Sequence, residues 1–211
     1  EVMGRSVPSL PLKAQVCVIC RNAARLDWVE HFPAITGENY LIGNPPYVGS
    51  RKQKAHHKLD LASVLGHVRK YKSLDYVSIW FYRAAEFLRE RNSLCAFVAT
   101  KSVVQGEQVS ILWPTVLEND LEILFAHQPF KWQNNAKGNA GVTCVIVGFG
   151  LKSNREKKII SNGREQVVPE INYYLQGGVA SSYVTTRGEQ LSGLSKMGIG
   201  TMLIDGGEYL F

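Results

Sequence analysis

No apolar run in this 211-residue sequence approaches the length of a membrane span, and the longest, Val142 to Phe149, is only strand-sized. No secretory leader is expected either, since the basic start is not followed by an apolar core. The expectation is a cytoplasmic protein without a membrane partner. Cysteine is scarce. Cys17 and Cys20 form one Cys-x-x-Cys, which alone suggests a redox or zinc site. No second pair completes a metal tetrahedron, and Cys17, Cys20, Cys95 and Cys144 all sit in apolar runs. All four read as small core residues, so no metal is expected. Acidic residues are nearly missing from residues 48–73, where Asp60 alone answers Arg51, Lys52, Lys54, Lys58, Arg69, Lys70 and Lys72.

What the chain does have is the composition of a globular protein. It is 45% hydrophobic and 20% charged, enough apolar residues for one substantial core. Its net charge of +6 suits a polyanionic partner without specifying one.

Ile42-Gly43-Asn44-Pro45-Pro46-Tyr47 is the most informative stretch. The apolar Tyr40 to Ile42 reads as a strand that ends there, because neither proline can donate to a sheet ladder. Each proline also pushes the residue before it toward extended geometry. The outcome is a stiff turn with free carbonyls, an amide side chain and an aromatic ring. It could simply end a strand. It also suits gripping a planar amino group whose lone pair is delocalised into a ring. The Asn44 side-chain oxygen and the Pro45 carbonyl could accept its two N–H groups and steer the nitrogen toward tetrahedral geometry. No strong base is then needed, since the nitrogen turns acidic only as the new bond forms. Acceptors placed where positive charge develops mirror an oxyanion hole. Tyr47 would stack on the ring.

The rest of the chain alternates. Strands are predicted at Gln15–Cys20, Tyr40–Ile42, Leu94–Ala99, Leu121–Ala126 and Val142–Phe149. A helix over Leu74–Arg91 follows from apolar residues three and four apart, with Ser73 as cap. A second over Glu107–Glu118 is expected to be interrupted by Pro114. Lys157–Ile160 and Gln166–Val168 suggest a hairpin around Asn162-Gly163. This order is that of an α/β layer fold, whose ligand sites gather at the carboxyl ends of strands. Residues 1–150 are expected as one unit, with 151–211 a β-rich extension or linker toward a further domain.

Asn44-Pro45-Pro46-Tyr47 is similar to motif IV of S-adenosylmethionine-dependent amino-methyltransferases. The longer stretches Leu41 to Gly49 and Phe130 to Val147 resemble the MmeI-like adenine-N6 DNA methyltransferases, which belong to type II restriction–modification proteins. The resemblance implies a class I, Rossmann-like methyltransferase sheet with Val142–Phe149 antiparallel. It implies double-stranded DNA as partner and methylation of adenine N6 on a base rotated out of the duplex. Asn44, Pro45, Pro46 and Tyr47 would be catalytic, and Tyr47 with Phe130, in the motif VIII loop Phe130–Gly141, would sandwich the base. Phe130 could alternatively plug the core. Asn22, Ala23 and Asn44 would touch S-adenosylmethionine, although Asn22-Ala23 also suits an ordinary strand-end turn. Arg51, Lys52, Lys54 and Lys58 would contact DNA phosphates, where a plain solvated face is the other reading. The adjacent His56 and His57 diverge and are not read as metal ligands.

One expected part is missing. The family's cofactor cradle needs a glycine-rich turn between a strand and a helix, followed by an acidic residue for the ribose. Val147-Gly148-Phe149-Gly150 leads into polar, basic residues instead, and Gly198-Ile199-Gly200 is no better. The chain is therefore expected to be an internal or C-terminal fragment that works with the upstream half of the same protein and is inactive alone. Methylation of RNA guanine N2 or of protein glutamine remains an alternative, as does a non-catalytic DNA-binding module.

Overall fold

A computed structural model describes residues 18–32, 37–118, 120–132, 142–178 and 183–185. The regular elements are α1 (Trp28–His31), β1 (Asn39–Gly43), α2 (Ala55–Leu65), α3 (Ser78–Glu90), β2 (Ser93–Thr100), α4 (Glu107–Leu117), β3 (Leu121–Trp132), β4 (Val142–Leu151), β5 (Lys157–Ser161) and β6 (Arg164–Val168).

The strands form one mixed sheet in the order β1-β2-β4-β3-β5-β6. β1 runs parallel to β2, with Gly43 opposite Phe97. β4 runs antiparallel to both β2 and β3, as the family resemblance implied. The hairpin β5–β6 joins through β5, which is parallel to β3, so residues 157–168 continue the same sheet. Its turn uses Asn162 and Gly163, both at positive φ (49° and 74°), the backbone that a tight two-residue hairpin requires.

Alternation along β2 buries Cys95, Phe97 and Ala99 on one face, where α3 and α4 cover them. Phe81 of α3 is fully buried and packs edge-on against Phe97 and Trp113, with centroids 5.5 and 5.3 Å away. Trp113 anchors α4 by donating from Nε1 to the Val103 carbonyl at 2.7 Å.

Several expectations need correction. Val18 to Cys20 form no strand; Val18 is 83% exposed and Cys20 lies at the surface, while Cys95 and Cys144 are buried as expected. Among the described residues no strand lies on the outer side of β1 to pair with such a segment. Residues 15–17 lie outside the described residues. α3 starts at Ser78 rather than Leu74, with Val77 rather than Ser73 at its N-cap and no side-chain cap bond; the turn before it is held by Asp75, which accepts Val77 N–H at 3.1 Å. α4 runs unbroken through Pro114, whose cost is offset by burial of Ile111, Leu112, Trp113, Val116 and Leu117. β3 continues six residues past Ala126, so Phe130 and Trp132 are strand residues and not part of a polar loop. Residues 133–141 lie outside the description. The basic stretch contains α2, which buries Leu61, Val64 and Leu65 beneath its charges.

Candidate active site and its scaffold

The parallel direction of β1 and β2 brings their carboxyl ends to one edge of the sheet. The antiparallel partner β4 begins there, with Cys144 opposite Thr100. β3 ends there, with Phe130 opposite Cys144. Four segments distant in sequence thus meet: Asn44–Tyr47, Thr100–Val104, Phe130 and Cys144. Within the turn after β1, Asn44 and Pro46 are exposed, Pro45 is buried and Tyr47 is half-buried. All its peptide bonds are trans.

Tyr47 neighbours the Cys144 thiol, and burial followed by this neighbour raises its pKa above the ordinary phenol value. The ring is therefore neutral near pH 7. Directly opposed residues of an antiparallel pair share a face, so Phe130 lies on the Cys144 side on which Tyr47 sits. Phe130 is only partly buried and packs edge-on against His127, centroids 4.6 Å apart. The two predicted stacking rings thus flank one small residue.

A buried carboxylate fixes the turn from below. Asp75, 3% exposed, accepts from Val48 N–H at 2.9 Å and from Ser102 Oγ at 3.4 Å, besides Val77. Ser102 in turn shares a 2.6 Å hydrogen bond with Thr100. Burial dominates and raises the Asp75 pKa above the usual carboxylate value, despite these donors. Gln53 adds a second tie, donating from Nε2 to the carbonyls of Val48 at 3.0 Å and Leu74 at 2.9 Å. Val48 is the residue after Tyr47, so both ties act on the motif's trailing end. Neither Asp75 nor Gln53 stands out in the sequence, since their partners are far along the chain.

On the other side of Asn44 lies a cavity of about 590 Å³. Its walls include Ala23, Leu26, Asn44, Pro45 and Trp80. Ala23 and Asn44, two of the predicted cofactor contacts, therefore share one space, and Trp80 is a third wall that helix periodicity alone assigned to the core. Asn22 is different. Its side chain accepts from Ala24 N–H at 3.0 Å and donates to Asp60 at 3.3 Å. Asp60, 2% exposed, also receives Arg25 Nε at 2.6 Å and the Tyr76 hydroxyl at 2.6 Å. Burial opposes its charge, but the bonds from Tyr76, Arg25 and Asn22 prevail and hold its pKa below the usual carboxylate value. The Asn22–Arg25 turn is thereby tied to α2.

Arg51, Lys52, Lys54 and Lys58 are all exposed and make no ion pair among the described residues. His56 and His57 do not diverge as expected: their ring centroids lie 3.9 Å apart with the planes tilted by 55°, and burial, then the neighbouring His56, lowers the His57 pKa. No group of three metal-ligating side chains occurs among the described residues, and no helix there is long and apolar enough to cross a membrane.

Comparison with known proteins places this arrangement in a class. The family profile "MmeI, DNA-methyltransferase domain" matches residues 1–161. The chain belongs to that family. It is 44% identical over 213 residues to DNA methyltransferase A of Bacillus subtilis (strain 168), covering all of this chain and 24% of that protein. It also matches the structure of the Type IIL restriction–modification enzyme MmeI in complex with DNA, with TM-score 0.77 and 41% identity over 88% of this chain and 25% of that one. The chain thus spans about a quarter of the length of these relatives.

Proposed function

We propose that this chain is the base-gripping part of a DNA methyltransferase that moves a methyl group from S-adenosylmethionine to adenine N6. The observation that carries the reading is the exposed Asn44 and adjoining Pro45 at the carboxyl end of β1, with Tyr47 and Phe130 flanking Cys144 beside them. Asn44 Oδ1 and the Pro45 carbonyl accept from the two N–H groups of the target amine. As the nitrogen forms its new bond these acceptors stabilise the growing positive charge, and the proton leaves to water afterwards. Tyr47 and Phe130 replace the stacking that a base loses on leaving the duplex. The exposed cations Arg51, Lys52, Lys54 and Lys58 hold the phosphate backbone.

S-adenosylmethionine, when bound, supplies the electrophilic methyl group. The cavity beside Asn44 fits one side of such a molecule: Ala23 leaves room, and Trp80 and Pro45 offer apolar walls. Among the described residues no carboxylate lines it to receive ribose hydroxyls. In this reading the sheet is the strand-β1-to-β4 portion of a class I fold, and the glycine-rich cradle comes from the upstream half of the same protein. Residues 1–150 form the methyltransferase part, and residues 151–211 extend it toward a further domain. The enzyme works in the cytoplasm as one part of a restriction–modification protein.

The test is methyl transfer by the intact protein from labelled S-adenosylmethionine to duplex DNA, with the product nucleoside identified by mass spectrometry. N6-methyladenine is expected. Label appearing only in RNA guanine or protein glutamine, or transfer to no substrate alongside normal DNA binding, would overturn the reading.

A further inference from the structure

The two short turns that follow the motif and precede α3 enclose a cavity of about 430 Å³. Ser50 and Arg51 come from the first turn, Tyr71, Lys72 and Ser73 from the second, and Lys58 reaches in from α2. Three cations converge, and among the described residues no carboxylate lines the cavity. None of the three makes an ion pair or side-chain hydrogen bond among the described residues. One neighbouring charge is neutralised within the fold, Lys70 being held by Glu107 at 2.6 Å, whereas these three have no counter-charge among the described residues. Like charges gathered without a counter-charge repel, and the fold gains nothing from the arrangement, so it is suited to an anion.

The walls are also rigid relative to the motif. Gln53, 8% exposed, is anchored to Val48 O and Leu74 O, joining the first turn to the end of the second. Leu61, fully buried, closes the cavity floor. An anion seated here is thus held at a fixed position relative to Tyr47, three residues before Ser50.

We propose that this cavity seats one phosphodiester of the DNA strand that carries the target base, with Arg51, Lys58 and Lys72 as its cations and the Ser50 and Tyr71 hydroxyls as its neutral donors. The proposal rests on the reading of this family member as a DNA-acting protein. It goes further in separating Lys72, which no motif marks, from Lys52 and Lys54, which do not line the cavity. A seat for a single phosphate fixes register on the duplex and carries no sequence information.

The experiment is DNA binding by the intact protein over a salt series, on duplexes in which single phosphates near the target are replaced by neutral methylphosphonates. One position should weaken wild-type binding, and Lys72→Gln should shrink that penalty. Lys72→Gln should also lower the log–log salt slope by about 0.9, while the double change Lys70→Gln with Glu107→Gln, which removes an already neutral pair, should leave slope and penalty unchanged. An unchanged slope for Lys72→Gln, or a penalty pattern identical to wild type, would overturn the seat. So would inorganic phosphate binding that depends on Lys72 but does not compete with DNA, since that makes the cavity a free-anion site. Methylation chemistry is not read in this experiment, so a protein that binds as described but methylates no adenine would refute the proposed function and leave the seat standing.

Discussion

The carboxylate of Asp75 accepts the backbone N–H of Val48 at 2.9 Å across 27 residues of sequence, holding the residue that follows Tyr47. It does so while almost completely buried and while receiving Val77 N–H as well. Asp75→Ala would orphan the buried Val77 amide, at about 1–3 kcal/mol, and remove the acceptor of the half-buried Val48 amide. A lowered denaturation midpoint is expected, with Asp75→Asn milder because it keeps an acceptor. Equal stability of Asp75→Ala and wild type by urea titration would contradict the anchoring role.

Asp75 also has a predictable pH signature. Its folded pKa is raised, so the folded state binds its proton more readily than the unfolded state. Stability from this group is therefore greatest below the unfolded carboxylate value of about 3.9 and declines as pH rises toward the folded value. Asp60 acts in the opposite sense. Its folded pKa is lowered, so its contribution is present above the unfolded value and is lost as pH falls through the folded one. Asp60→Asn should flatten the acid limb of the stability profile, and Asp75→Asn should steepen it. Identical acid limbs in both variants, measured by denaturation at stepped pH, would refute these assignments.

Phe130 is expected to act on the extruded base. A mismatched target costs less to unstack, so it should partly rescue Phe130→Ala. Equal single-turnover defects on matched and mismatched DNA, together with a lowered melting temperature, would instead identify Phe130 as a packing residue beside His127.

Where side chains alternated, recurred at helical spacing or formed a continuous apolar run, the fold was legible. β2 and β4 show it, as does the Asn162-Gly163 hairpin. α2 was hidden because Leu61, Val64 and Leu65 lie beneath a run of cations, and charge was the more conspicuous feature. The end of β3 was hidden by Pro129, which lacks a donor. It is tolerated because the β3–β4 pairing shifts register between His127 and Phe130, so no regular ladder position falls on it. At the site, Asn44 to Tyr47 could be picked out because their chemistry is local to one turn. Asp75, Gln53, Trp80 and Lys72 could not, since each acquires its role from residues that only folding brings near. Asn22, expected either to touch a cofactor or to belong to an ordinary turn, spends its side chain on Ala24 and Asp60.

The central claim is that Asn44 stabilises the amine as it becomes positively charged. Asn44→Ala in the intact protein removes one of two acceptors and should slow single-turnover methylation of adenine by about a hundred- to a thousandfold, or roughly 3–4 kcal/mol. DNA affinity at fixed salt should change little, because phosphate contacts dominate it. Single-turnover methylation near the wild-type rate, with DNA and cofactor both saturating, would contradict the account.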